Sequence, residues 1–161
     1  MQHFVPEELD RETFRKLGDF EDMLTLGERF TGGPVSEGFF PDALQFDNNG
    51  KAMSFSVCRV SGTPTHIKAV EYHSESYEGI LPLDGDIYMF AAPPWWFMKL
   101  DEIKIYRVPR GTMVKLKPGV VHGTVISADG SPVNVLVALP ERTYSNDCVF
   151  TELKEEDWIL L

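Results

Sequence analysis

From Ala52 onward, apolar and polar residues alternate in short runs, the period of half-buried β-strands. The runs fall at 52–60, 66–73, 77–83, 86–91, 102–108, 112–117, 121–127, 133–139 and 148–153. Glycine, proline and acidic residues punctuate them, as turns require. No helical period of 3.6 residues occurs after residue 50. Eight or nine short strands of this kind predict an all-β sandwich or closed barrel. In the first run, Met53, Phe55 and Val57 share one parity, so this row is expected to face the interior and to carry Arg59 at the barrel mouth.

The first 50 residues read differently. Asp10 is placed to cap a short helix over 11–17, with Gly18 to end it and with Phe14 and Leu17 as its buried contacts. That helix is expected to pack outside the barrel. The stretch 27–50 mixes glycines with Phe30, Phe39, Phe40 and Phe46, which predicts an irregular arm anchored by aromatics. The organisation expected is one domain over 1–161, with the arm at 1–50 and the barrel at 51–155. Pro93-Pro94-Trp95-Trp96-Phe97-Met98 predicts an extended apolar loop that serves as a flap, a lid or a contact between copies. The acidic tail is expected to be solvated and pinned by Trp158.

The chain has 161 residues, is 43% hydrophobic and carries a net charge of −10. That charge repels nucleic acid and anionic lipid, so neither is an expected partner. A small anionic substrate would need a local positive group, for which Arg59 is the candidate because guanidinium takes a carboxylate in two-pronged fashion. Residues 1–8 lack the basic and apolar regions of a signal peptide, and no apolar run approaches 18 residues, so a cytoplasmic protein is expected. Cys58 and Cys148 are expected to be reduced and mostly buried.

The chemistry concentrates in two segments. One reads Glu71-x-His73-x4-Glu78-x6-Gly85, the other Gly111-x7-Gly119-x2-His122. On an extended strand Glu71 and His73 point the same way. Glu71, His73, Glu78 and His122 are therefore candidate ligands for a divalent metal, with zinc, nickel, manganese and iron all suited to imidazole and carboxylate. Glu78 is either the fourth ligand or an uncoordinated general base. Tyr88 and Lys117 are further candidate catalytic residues. His3 and His66 lack partners at ligand spacing.

This two-part pattern resembles that of the cupins, with Glu71 in the place of the first histidine, Pro118 displaced by one position and Ile126 in place of the usual asparagine. The resemblance implies an all-β double-stranded β-helix, a jelly-roll barrel, with a short N-terminal helix. Within the cupins, the chain is similar to the ureidoglycolate lyase family through Leu9 to Asp19, Ser56-Val57-Cys58-Arg59, Glu71-x-His73, Leu81-Pro82-Leu83-Asp84-Gly85, Gly119-Val120-Val121-His122 and Ser145-Asn146-Asp147-Cys148-Val149. Glu78 stands where that family commonly has Gln, Val121 where it has Trp, and Gly123-Thr124 where it continues His-Pro.

The resemblance implies a homodimer and a metal-dependent lyase that releases urea and glyoxylate from ureidoglycolate. The alternatives are a cupin isomerase or dioxygenase acting on another small hydroxy or keto acid, and a non-catalytic cupin that binds a small acid or sugar.

Overall fold

The computed structural model describes residues 5–25, 38–94 and 102–160. The elements in chain order are β1 (Glu7–Glu8), α1 (Arg11–Phe14), β2 (Gly18–Asp22), β3 (Met53–Val60), β4 (His66–Ile67), β5 (Ala69–Tyr72), β6 (Glu78–Pro82), β7 (Ile87–Ala91), β8 (Lys104–Val108), β9 (Thr112–Leu116), β10 (Ile126–Ser127), β11 (Val133–Pro140), α2 (Thr143–Asn146), β12 (Val149–Glu152) and β13 (Ile159–Leu160). Every strand predicted after residue 50 has a counterpart. The 121–127 run is the most altered: only its last part is regular strand, and residues 121 and 122 form isolated bridges. The Trp95–Met98 part of the predicted aromatic loop, and Phe30 of the arm, lie outside the described residues.

Two sheets face each other. One has the order β1-β8-β7-β10 and the other β2-β9-β6-β11-β3. The bridges Ala92↔Val121 and Glu71↔His122 extend the first sheet from β7 across to β5, which pairs with β12. This arrangement is the all-β jelly roll expected of a cupin.

β7 explains why the layers hold. Ile87, Met89 and Ala91 point into the core between the sheets, against Tyr106, Val108, Ile80, Val114 and Val135. Phe90 and Ala92 point the other way, into a second cluster with Ile67, Val70, Ile105, Leu153 and Ile159. A strand covered on both faces reads as the unbroken apolar run seen here. The tail folds over that second cluster. Trp158 joins it, donates its indole N–H to the Leu153 carbonyl at 3.2 Å, and lies 4.2 Å below the Lys68 ammonium.

The N-terminal segment is built into the barrel rather than laid outside it. Asp10 caps α1 as expected, accepting from the Thr13 N–H at 2.9 Å. The helix is a single turn. Phe14 is fully buried between the sheets and meets Tyr106 edge-on at 5.2 Å. On either side of the turn, β1 pairs with β8 and β2 pairs with β9, so residues 7–22 close the same open end of both sheets. Gly18 is required there for close approach: a Cβ would sit 1.8 Å from the Lys115 carbonyl oxygen. β1 and β2 carry mostly acidic side chains, so no alternating pattern marks them. Arg11 stitches β2 down through Asp19, Glu21 and the Phe20 carbonyl, and Lys104 and Arg107 hold β1 through Glu7 and Glu8.

The facing of β3 is the reverse of the one expected. Val60 and Cys58 meet the core, whereas Phe55 and Val57 are 66% and 63% exposed. As the edge strand, β3 pairs with β11 alone, and its apolar row is the outer one.

These placements separate two phenylalanines. Phe14→Ala is expected to cost about 3–5 kcal/mol in urea denaturation, the scale for emptying a buried aromatic site. Phe55→Ala is expected to stay within about 0.5 kcal/mol, as exposed positions do.

Candidate metal centre

The two sequence segments meet through backbone pairing. The Glu71 N–H donates to the His122 carbonyl at 2.7 Å, and the His122 N–H returns to the Glu71 carbonyl at 2.9 Å. The Gly119 N–H donates to the His73 carbonyl at 2.6 Å, from a turn in which Gly119 has φ of +80°. That φ favours glycine. His73 leaves the end of β5, and Glu78 opens β6 with the same inward parity as Ile80.

The side chains of His73, Glu78 and His122 converge, and one ligand atom from each lies within 4.8 Å of the others. His122 Nε2 is 2.5 Å and His73 Nε2 is 3.3 Å from Glu78 Oε2. All three residues are buried, at 2%, 6% and 2% exposure for His73, Glu78 and His122. Each imidazole is aimed by its other nitrogen: Nδ1 of His73 lies 2.7 Å from the Asp147 carbonyl, and Nδ1 of His122 lies 2.9 Å from the Val120 carbonyl. A carbonyl only accepts, so both Nδ1 atoms carry the proton, and in the neutral rings both Nε2 atoms present a lone pair to the centre.

Neither Nε2 nor Glu78 Oε2 makes a satisfactory hydrogen bond. Three acceptors gathered at one buried point call for positive charge. Without an ion, protons on the imidazoles supply that charge. Burial by itself would raise the Glu78 carboxyl, but His122 and His73 hold it down at about 2. Burial would lower both histidines, and Glu78 raises them instead. A divalent cation satisfies all three atoms at once, and the set of two imidazoles and one carboxylate fits the ions expected from the sequence.

Asp147 supports this trio twice. Its carbonyl orients His73. Its carboxylate accepts from Ser74 Oγ at 2.6 Å, Ser76 Oγ at 2.7 Å, Ser74 N at 2.8 Å and Glu75 N at 3.1 Å. Those residues form the loop that spaces His73 from Glu78. Burial opposes ionisation of Asp147, yet the Ser74 and Ser76 hydroxyls and the two backbone N–H groups hold its carboxyl at about 2.

A cavity of about 200 Å³ adjoins the trio. Its wall is largely apolar, with Ile80, Val125, Val135 and Val137, and its polar groups come from Cys58, Glu71, Glu78, Thr124 and Tyr144. The Tyr144 ring stands 6.4 Å from that of His73, edge-on, and burial together with Glu78 and Glu71 pushes its hydroxyl up to about 12.

The structure brings together three of the four expected ligands. Glu71 lines the cavity, but its carboxylate accepts from the Cys148 thiol at 3.3 Å and is not part of the trio. The other candidates lie elsewhere. Arg59 is exposed on the outer face of β3, where it contributes to lowering the Asp84 carboxyl, whose main partner is the Asn134 N–H. Lys117 is exposed and donates to the Arg15 carbonyl at 2.5 Å. Tyr88 points into the outer cluster with Phe90, as its parity on β7 dictates. Tyr144, Cys58 and the carboxylate role of Asp147 were not anticipated. The spacing of Asp147 gives no sign of the loop 71–73 positions away that it clamps, and a single tyrosine in a polar turn carries no periodic signal.

No family model and no curated protein matches this sequence. Similar solved structures include oxalate decarboxylase from Bacillus subtilis, in a study of its Mn(II) centres, at 14% identity and a TM-score of 0.45 over 65% of this chain. Another is the formate complex of Lactobacillus farciminis oxalate decarboxylase, at 11% identity and a TM-score of 0.47 over 68%. The chain covers 25% and 28% of those two proteins.

Asp147 yields a pH-dependent prediction. Its folded carboxyl is held at about 2, below the ordinary carboxyl value, so its stabilisation is complete above the unfolded value and is lost as pH falls through the folded one. Urea denaturation of Asp147→Asn is expected to show a deficit of about 1–3 kcal/mol at neutral pH. That deficit should shrink between about pH 4 and pH 2 as the wild type loses its advantage.

Proposed function

We propose that this chain is a metal-dependent cupin enzyme acting on a small hydroxy or keto acid, with ureidoglycolate, cleaved to urea and glyoxylate, as the first substrate to test. The observation that carries the metal reading is the set of three buried acceptor atoms facing one another without hydrogen bonds. His73, Glu78 and His122 would hold the ion. Once bound, it would supply a Lewis acid for the oxygens of the acid and make an adjacent hydroxyl easier to deprotonate.

The chain's own groups set the surroundings. The Val125, Val135, Val137 and Ile80 wall limits water around the reacting carbon. Glu78 is enclosed by the two imidazoles, which supports a ligand role over that of a free base. Glu71 is the carboxylate left facing the cavity. For ureidoglycolate the balance is simple: the hydroxyl loses its proton, the carbon–nitrogen bond breaks, the nitrogen gains a proton, and no electrons leave the pair of products. The substrate itself comes from the family resemblance alone.

A second reading is favoured by one feature of the cavity. Among the described residues that line it there is no lysine or arginine, and Arg59 faces away. A less highly charged hydroxy-keto compound, handled by an isomerase or an iron-dependent dioxygenase, fits that wall equally well.

Metal analysis of purified protein is expected to find about one divalent ion per chain, and His73→Ala or His122→Ala is expected to lose it while the β-rich circular dichroism persists. Loaded wild type should release glyoxylate and urea in equal amounts from ureidoglycolate, and a chelator should stop the release. Loaded protein with no glyoxylate above the spontaneous rate would exclude this substrate, and iron as the ion bound would favour the dioxygenase.

A further inference from the structure

We infer that Cys148 holds Glu71 out of the cation site, so that the site has three protein ligands and the Glu71 carboxylate remains available to the cavity. The inference rests on the metal reading above and concerns which residues define it.

Position alone would make Glu71 a ligand. It shares the strand parity of His73, and its backbone pairs with that of His122 in both directions. Yet its carboxylate is outside the group of converging ligand atoms, and Oε2 takes the Cys148 thiol at 3.3 Å. Only a thiol can donate that bond, since a thiolate has no proton to give. An ordinary thiol keeps that proton at neutral pH, so the donor is present there.

The hold does not depend on Glu71 itself. Cys148 lies between two fixed neighbours: Asp147, whose carboxylate is clamped by Ser74 and Ser76, and Val149, which pairs with Tyr72 across β12 and β5. The thiol is therefore presented from a rigid frame. There is also a consequence for charge. An ion of charge +2 beside the single Glu78 carboxylate leaves +1 at the centre, whereas a second carboxylate would bring it to zero. Kept aside, Glu71 still faces the cavity, where its carboxylate serves as an acceptor or base and not as a ligand.

The test titrates Mn²⁺ and Zn²⁺ into metal-free full-length protein by calorimetry and records the Mn²⁺ EPR spectrum. Glu71→Gln is expected to bind Mn²⁺ within about twofold of wild type. Cys148→Ala, which frees the carboxylate to turn inward, is expected to bind at least about tenfold more tightly, on the scale at which outer partners act on metal sites, and to change the EPR spectrum. Cys148→Ser, which keeps a donor in place, is expected to restore wild-type affinity and spectrum.

A loss of tenfold or more in Glu71→Gln would show Glu71 to be a ligand and overturn the inference while leaving the metal site intact. Wild-type affinity and spectrum in Cys148→Ala would likewise show that the thiol restrains nothing. If Cys148→Ala fails to fold, Cys148→Val, which also removes the donor but fills the space, takes its place with the same expected and overturning outcomes. No binding of either ion by wild type would instead overturn the metal reading itself, and this inference with it.

Discussion

One carboxylate taken out of water organises this molecule. Glu78 is 6% exposed, and an ionised carboxylate is tolerated at such depth only where positive charge meets it. The two imidazoles are turned toward it by backbone carbonyls, so both Nε2 atoms meet it at one point, carrying that charge as protons or sharing it with a cation. The rest of the jelly roll can be read as the frame that keeps these three groups together. The Glu71–His122 bridge brings the two halves of the motif into register, Gly119 makes the turn that precedes His122, and the inward parity of β6 sends Glu78 to meet both.

Around that centre stands a layer of neutral and anionic groups with a different task. Asp147 accepts from the loop between His73 and Glu78 and also fixes the His73 ring. Cys148, the next residue, engages Glu71. Two adjacent positions near the C-terminus thus address two different carboxylate problems. One carboxylate is pinned as a structural acceptor, and the other is turned toward the cavity. This is the layer that decides how rigidly a metal centre is shaped.

The β-strands were legible because alternation survives where one face is buried, as in the first half of β11, and because a strand covered on both faces, as β7 is, reads as a short apolar run. Three readings failed for physical reasons. β3 is an edge strand whose outer row is the more apolar one, so hydrophobicity pointed to the wrong face, and Arg59 with it. β1 and β2 bind through backbone pairing while carrying acidic side chains, so nothing in their pattern announces a strand, and the helix between them looked external when its phenylalanine is central. Glu71 was legible as a neighbour of the centre, but its rotamer is set by a thiol 77 positions away, which spacing within a motif cannot reveal. His73, Glu78 and His122 were legible because their parity and spacing come from the strands themselves.

The contact that aims His73 spans 74 positions, from β5 to a residue in the last stretch of the chain. Contacts of that separation form late, because the loop entropy must be met before they contribute. A chain emerging from the ribosome would therefore display both histidines and both glutamates long before the carbonyl that orients one of them exists. Early on, the ligands would be individually available but unselective. Any preference of this trio for one ion over another would therefore arise only once the barrel is complete.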